Sequence, residues 1–96
     1  MAAAYMIIGV TVTDEAAFGP YAEEVPPMMA KYGGEVIVVD DNFEVLEGDF
    51  GRKRAVILKF PSMEQARDFY NSDEYAPMIE LRKACTDGDV VLVQGL

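Results

Sequence analysis

The chain has 96 residues, enough for one domain, and a domain of this size buries only about 60 to 65% of the surface its unfolded chain exposes. With 51% hydrophobic residues it carries more apolar side chain than so thin a core can hide, so a partner, most economically a second copy, is expected to cover the excess. Seventeen acidic against eight basic side chains give a net charge of -9, a field that repels phosphate backbones and anionic headgroups and so excludes nucleic acid and membrane surfaces as expected partners.

In residues 5–12, Met6, Ile8, Val10 and Val12 share one face of a predicted strand, and Tyr5, Ile7, Gly9 and Thr11 the other. Thr13 or Asp14 then offers a capping oxygen. Phe18, Tyr21, Ala22, Val25, Met28, Met29 and Tyr32 recur at three- and four-residue spacing up to Gly33-Gly34, which predicts an amphipathic helix with a glycine stop. An interior proline removes an amide donor and costs about 3 kcal/mol if unrelieved, so Gly19-Pro20 predicts a restart of this helix and Pro26-Pro27 a second bend.

Val36, Ile37, Val38 and Val39 place a strand at 35–40. A turn at Asp41-Asn42 leads into 43–47, so the strand is expected to be broken or bulged midway, followed by a loop at 48–53. Residues 54–60 form the next strand, antiparallel to it in a hairpin, with Arg54, Val56, Leu58 and Phe60 on one face and Ala55, Ile57 and Lys59 on the other. Ser62 and Gln65 have the spacing of a capping box, and Met63, Ala66, Phe69 and Tyr70 supply the buried stripe of the helix they open. Asn71-Ser72-Asp73 interrupts it. A further helix is predicted over 74–84 with Tyr75, Met78, Ile79 and Leu81 inward and Pro77 tolerated in its first turn; Thr86-Asp87-Gly88 then turns into a last strand at 89–94.

Strand, helix, strand, strand, helix, strand occupies residues 1–96 without repeat or linker: an α+β, ferredoxin-like split βαβ sandwich with an antiparallel sheet, as a single domain. Two helical regions cover one face of such a sheet, yet Val91 and Val93 alternate with Val90 and Leu92, and Ile7 also opposes apolar positions. The bare face needs another sheet, so a homodimer is expected.

Val45-Leu46-Glu47-Gly48, the strand end Phe60-Pro61-Ser62, the run from Phe69 through Tyr70, Asn71, Ser72, Asp73 and Glu74 to Tyr75, and Ala30-Lys31-Tyr32-Gly33-Gly34 together resemble domain of unknown function 1330. The resemblance spans nearly the full chain and implies membership of the dimeric α+β barrel superfamily, in which two ferredoxin-like sheets pair into a barrel. Superfamily relatives include cofactor-free monooxygenases, muconolactone isomerase-like enzymes and haem proteins, so the resemblance implies a range of chemistries and selects none. The chain departs from the family pattern at Phe50, where an indole is common, and at Gly19-Pro20 within the first helix.

The chain has no histidine, the commonest general base, and one cysteine, which excludes an internal disulfide; Cys85 has no imidazole to activate it and reads as a small buried group. Glu47 and Arg54, at the facing ends of the hairpin, are expected to form a cross-strand ion pair able to orient a small carbonyl or carboxylate compound. Arg52 and Lys53 read as loop solubilisers. Tyr21, Tyr32, Tyr70 and Tyr75 can bury their rings while offering a hydroxyl, and Ser72 sits at a helix break whose amides can hold an anion; Tyr32, Tyr70, Tyr75 and Ser72 complete the expected ligand pocket. Asp14 reads as a cap. Asp40 and Asp41 lack the spaced oxygens of a calcium loop, so no metal is assigned and no cofactor is expected. The start lacks a basic segment and a spanning apolar run, which makes the cytoplasm the expected compartment. Two functions remain open: a small-molecule binder with a cofactor-independent activity, monooxygenase- or isomerase-like, or a dimerisation module without catalysis.

Overall fold

Strict alternation along Ala4–Val12 (β1) decides the architecture, because this strand lies inside the sheet and is paired on both edges. The computed structural model describes residues 2–96. After β1 come α1 (Glu15–Ala30), β2 (Glu35–Asp40), β3 (Arg54–Phe60), α2 (Met63–Tyr70), α3 (Ala76–Cys85) and β4 (Thr86–Gln94). The sheet order is β2-β3-β1-β4, and every neighbouring pair is antiparallel. Met6 faces Leu58 on one side and Leu92 on the other, while Ile7 faces Ile57 and Val91. One register therefore sends Met6, Leu58 and Leu92 toward the helices and Ile7, Ile57 and Val91 away from them.

Asp14 caps α1, its carboxylate accepting from the Ala17 amide at 3.1 Å. The helix runs unbroken through Pro20, Pro26 and Pro27, so the expected restart at Gly19-Pro20 does not occur. All three prolines, and the residues four back whose carbonyls they orphan (Ala16, Ala22 and Glu23), are exposed, so solvent can satisfy those carbonyls while Val25 and Met29 hold the buried stripe. The helix stops where Gly33 takes a φ of 77°. There the Gly34 amide donates to Met29 O and the Gly33 amide to Ala30 O, each at 3.0 Å, the bond pair of a glycine-terminated helix.

On β2, Ile37 is bulged between Val36 and Val38. The expected extension over 43–47 is not a strand: ladder pairing ends at Asp40 opposite Ala55, and residues 41–53 fold back over the outer sheet face instead. Phe50 lies against Gly9, where a Cβ would stand 3.1 Å from its ring, and meets Phe43 edge to face at 5.0 Å. Arg52 pins this loop to Asp89 at 3.0 Å, and the Lys53 amide donates to Thr11 Oγ1 at 3.2 Å. Arg52 thus holds structure rather than merely adding charge.

Ser62 accepts from the Gln65 amide at 3.2 Å, and Gln65 Nε2 reaches Tyr32 O at 3.1 Å, which ties the start of α2 to the end of α1. The expected turn at Thr86-Asp87-Gly88 is already strand, because β4 follows α3 directly. The Cys85 carbonyl accepts from the amides of Thr13 (2.8 Å) and Asp14 (3.3 Å), locking the helix end to the end of β1, so Thr86 pairs with Val12 at once. Between helices and sheet, Phe60, Phe69 and Tyr75 form the aromatic centre of the core, with Phe69 and Tyr75 ring centroids 4.3 Å apart. The outer face stays bare, with Ile7 at 40%, Val91 at 51% and Val93 at 37% exposure. No helix among the described residues is long and apolar enough to cross a membrane.

A Cβ on Gly34 would collide with the side chains of Met29 and Phe60, both fully buried. Gly34→Ala is expected to lose about 1 to 3 kcal/mol, read as a lower urea midpoint at unchanged slope. An unchanged midpoint would show that those side chains have room to yield.

Candidate functional site

The inner sheet face and α1 do not close on each other along their whole length. Bulky Phe18 and Tyr21 on α1 and the short side chains Val10, Val56 and Val39 below them leave an apolar cavity of about 200 Å³. Val36 and Val39, at 42% and 62% exposure, mark its mouth along the free edge of the sheet at β2. The side chains in its wall that carry polar groups are Tyr21 from α1, Arg54 from β3 and Arg82 from α3.

The circumstances of the two guanidinium groups differ. Arg54 is held bidentately by Asp41, Nε to Oδ1 at 2.6 Å and a terminal nitrogen to Oδ2 at 3.0 Å, with Glu15 at 3.5 Å. These hydrogen bonds hold the Asp41 carboxyl below its usual range. Arg54 is thus compensated twice over. Arg82 is 8% exposed, has no carboxylate within 4.0 Å among the described residues, and its Nε has no hydrogen-bond partner there.

Near Arg82 the hydroxyls of Tyr21 and Tyr75 share a hydrogen bond of 2.6 Å, joining α1 to the start of α3. Burial, and then the neighbouring Tyr75 oxygen, push the Tyr21 phenol well above its ordinary range; Arg82 acts the other way and does not cancel this. Tyr21 therefore stays neutral and serves as a hydrogen-bond donor or acceptor, not as a base.

The residues expected from sequence are dispersed. The Glu47–Arg54 ion pair does not form: Glu47 lies in the exposed loop beside Phe43 and Phe50, because 43–47 never joins the sheet, and Arg54 turns to Asp41 instead. Tyr75 is buried and reaches the cavity only through its bond to Tyr21. Tyr32 packs tilted against Phe69, and Tyr70 lines a separate depression with Met6, Asn71 and Leu92. Ser72 Oγ donates to Phe69 O at 2.8 Å and accepts from the Tyr75 amide at 3.3 Å; the amides of Asn71, Ser72 and Ala76 are bonded to carbonyls as well, so the break has spent those donors. Arg82 is absent from the expected set, although it continues the inward stripe Tyr75, Met78, Ile79 at helical spacing. A charged residue on an apolar stripe is the signal that marks it.

Residues 3–96 match the family described as Domain of unknown function (DUF1330). The chain belongs to the DUF1330 family. No curated protein matches this DUF1330 protein in sequence. Among solved structures it superposes on a protein of unknown function from Rhodopseudomonas palustris with a TM-score of 0.82 at 17% identity, covering 99% of this chain and 83% of that one. SnoaB, a cofactor-independent oxygenase from Streptomyces nogalater, gives 0.65 at 11% identity, with 97% and 92% covered. A dimeric ferredoxin-like protein of unknown function from Thermobifida fusca gives 0.53 at 12%, with 99% and 92% covered. At such identities these likenesses establish the ferredoxin-like α+β fold of this DUF1330 domain.

The depressed pKa of Asp41 makes its bond to Arg54 a pH-dependent contribution, complete above the ordinary carboxylate pKa of about 3.9 and lost as pH falls through the lower folded value. Asp41→Asn is therefore expected to lower the urea midpoint at neutral pH, and the gap to wild type is expected to close in acid. A gap constant down to about pH 2 would assign the effect to packing rather than charge.

Proposed function

We propose that this protein is a homodimer that binds a small organic molecule in the cavity between α1 and the inner sheet face. The observation that carries the reading is the cavity itself, an apolar slot of about 200 Å³ open at β2 with Arg54 and Arg82 among its lining residues. Apolar clefts with a few convergent polar groups are where small ligands bind, and an apolar cavity of roughly 150 Å³ is enough to hold benzene. The ligand is accordingly of one-ring size. Likeness to SnoaB, a cofactor-independent oxygenase, supports extending the reading to cofactor-independent chemistry on that ligand.

The homodimer rests on the outer face. Ile7, Val91 and Val93 form an apolar surface that no helix covers, and the Thermobifida fusca neighbour of the same fold is a dimer. A dimerisation module without catalysis is the alternative that this surface favours, and it differs in making no use of the cavity.

Titration of the labelled protein with one-ring compounds is expected to move methyl resonances of Val25, Val36 and Val56, and Ala22→Trp, which fills the cavity, is expected to abolish the response. Methyl signals that ignore every such compound in the wild type would favour the module. In sedimentation equilibrium the wild type is expected at twice its sequence mass and Val91→Lys at the sequence mass. A wild type that stays monomeric at micromolar concentration would refute the dimer.

A further inference from the structure

Within the reading of the cavity as a ligand site, on which this step rests, we propose that the ligand is a monoanion, a carboxylate on a one-ring apolar body, anchored by Arg82 with a hydroxyl of the Tyr21–Tyr75 pair. Arg82 is buried to more than nine-tenths and forms part of the cavity wall; the phenols of Tyr21 and Tyr75 are its polar neighbours, and among the described residues no carboxylate lies within 4.0 Å of it and its Nε has no hydrogen-bond partner. A guanidinium keeps its charge at any ordinary pH, and a buried charge without a counter-charge is costly, so a site that retains one favours a guest that supplies the opposite sign. Arg54 does not compete for this role. Asp41 and Glu15 already compensate it, and their two negative charges exceed its own.

The phenol pair adds a second donor. Tyr21 is the member of the pair in the cavity wall, and with Tyr75 donating to it across 2.6 Å the Tyr21 hydroxyl keeps its own proton for an outside oxygen. Because Tyr21 resists ionisation, that proton remains available throughout the ordinary pH range. A carboxylate has two oxygens, one for the Arg82 guanidinium and one for the Tyr21 phenol. The body of the ligand then lies among Val10, Val56 and Val39, toward the mouth at β2. A neutral guest would fill the same space and leave Arg82 uncompensated. A dianion would bring one charge too many for a single free guanidinium.

The test compares benzoate with benzyl alcohol, of nearly equal size and opposite in the property at issue, by NMR titration of the intact protein. Wild type is expected to bind benzoate at least tenfold more tightly than benzyl alcohol. Arg82→Gln is expected to bring the two within about twofold, an order-of-magnitude expectation from the loss of one charge-assisted bond. Arg82→Lys should restore part of the preference, and Arg67→Gln, at an exposed position of α2 outside the cavity, should leave it intact. Benzyl alcohol binding as tightly as benzoate in wild type would overturn the anionic ligand while leaving the cavity reading standing, and this comparison needs no variant to fold. A preference that survives Arg82→Gln would overturn the assignment to Arg82. Failure of both compounds to bind would overturn the cavity reading and the inference together.

Discussion

Antiparallel pairing of β1 with both β3 and β4 is the constraint on which the rest of the structure depends. Because the side-chain period of a strand is two, pairing Met6 with Leu58 and Leu92 commits Ile7, Ile57 and Val91 to the opposite side. A slip of one residue would exchange the two apolar sets. All three helices then lie over the Met6 side, where Phe60, Phe69 and Tyr75 close the core. The Ile7 side is left to the 41–53 loop, which shields Gly9 with Phe50 and leaves Ile7, Val91 and Val93 open.

The cavity is a by-product of the same arrangement. At the free β2 edge the inner face carries only the short side chains Val36 and Val39, while α1 leans toward α3 through the Tyr21–Tyr75 bond. Space remains between them. Its two guanidiniums contrast, one neutralised by carboxylates and one with no carboxylate within 4.0 Å among the described residues. In a chain with a net charge of -9, an uncompensated buried cation is the more notable because acidic side chains are plentiful.

Much of the fold was legible because local chemistry and tertiary packing agree. Alternation located β3 at 54–60, and Ser62 and Asp14 cap the helices their positions suggest. Disagreement arose where a distant contact outweighed local preference. Residues 43–47 have strand-like composition, yet the partner strand is spent by Asp40, and Phe43 and Phe50 gain more against each other and the sheet. Thr86-Asp87-Gly88 has turn composition, but the anchoring of the Cys85 carbonyl to Thr13 and Asp14 puts it in register with β1. Pro20, expected to restart α1, is accommodated within it because its position and Ala16, four residues back, are exposed to solvent.

Of the candidate site, sequence reasoning reached Arg54 and the phenols of Tyr21 and Tyr75 but paired Arg54 with the wrong carboxylate and passed over Arg82. By itself the sequence determined the element order, the two apolar sides of the sheet and hence the fold class, since these follow from periods of two and of about 3.6 residues that act within a few neighbours. Only the tertiary structure decided which carboxylates reach Arg54, which phenols meet, and that Arg82 lies buried with its Nε unpartnered. Those outcomes depend on distances between α1, α3 and β2 that no local spacing encodes.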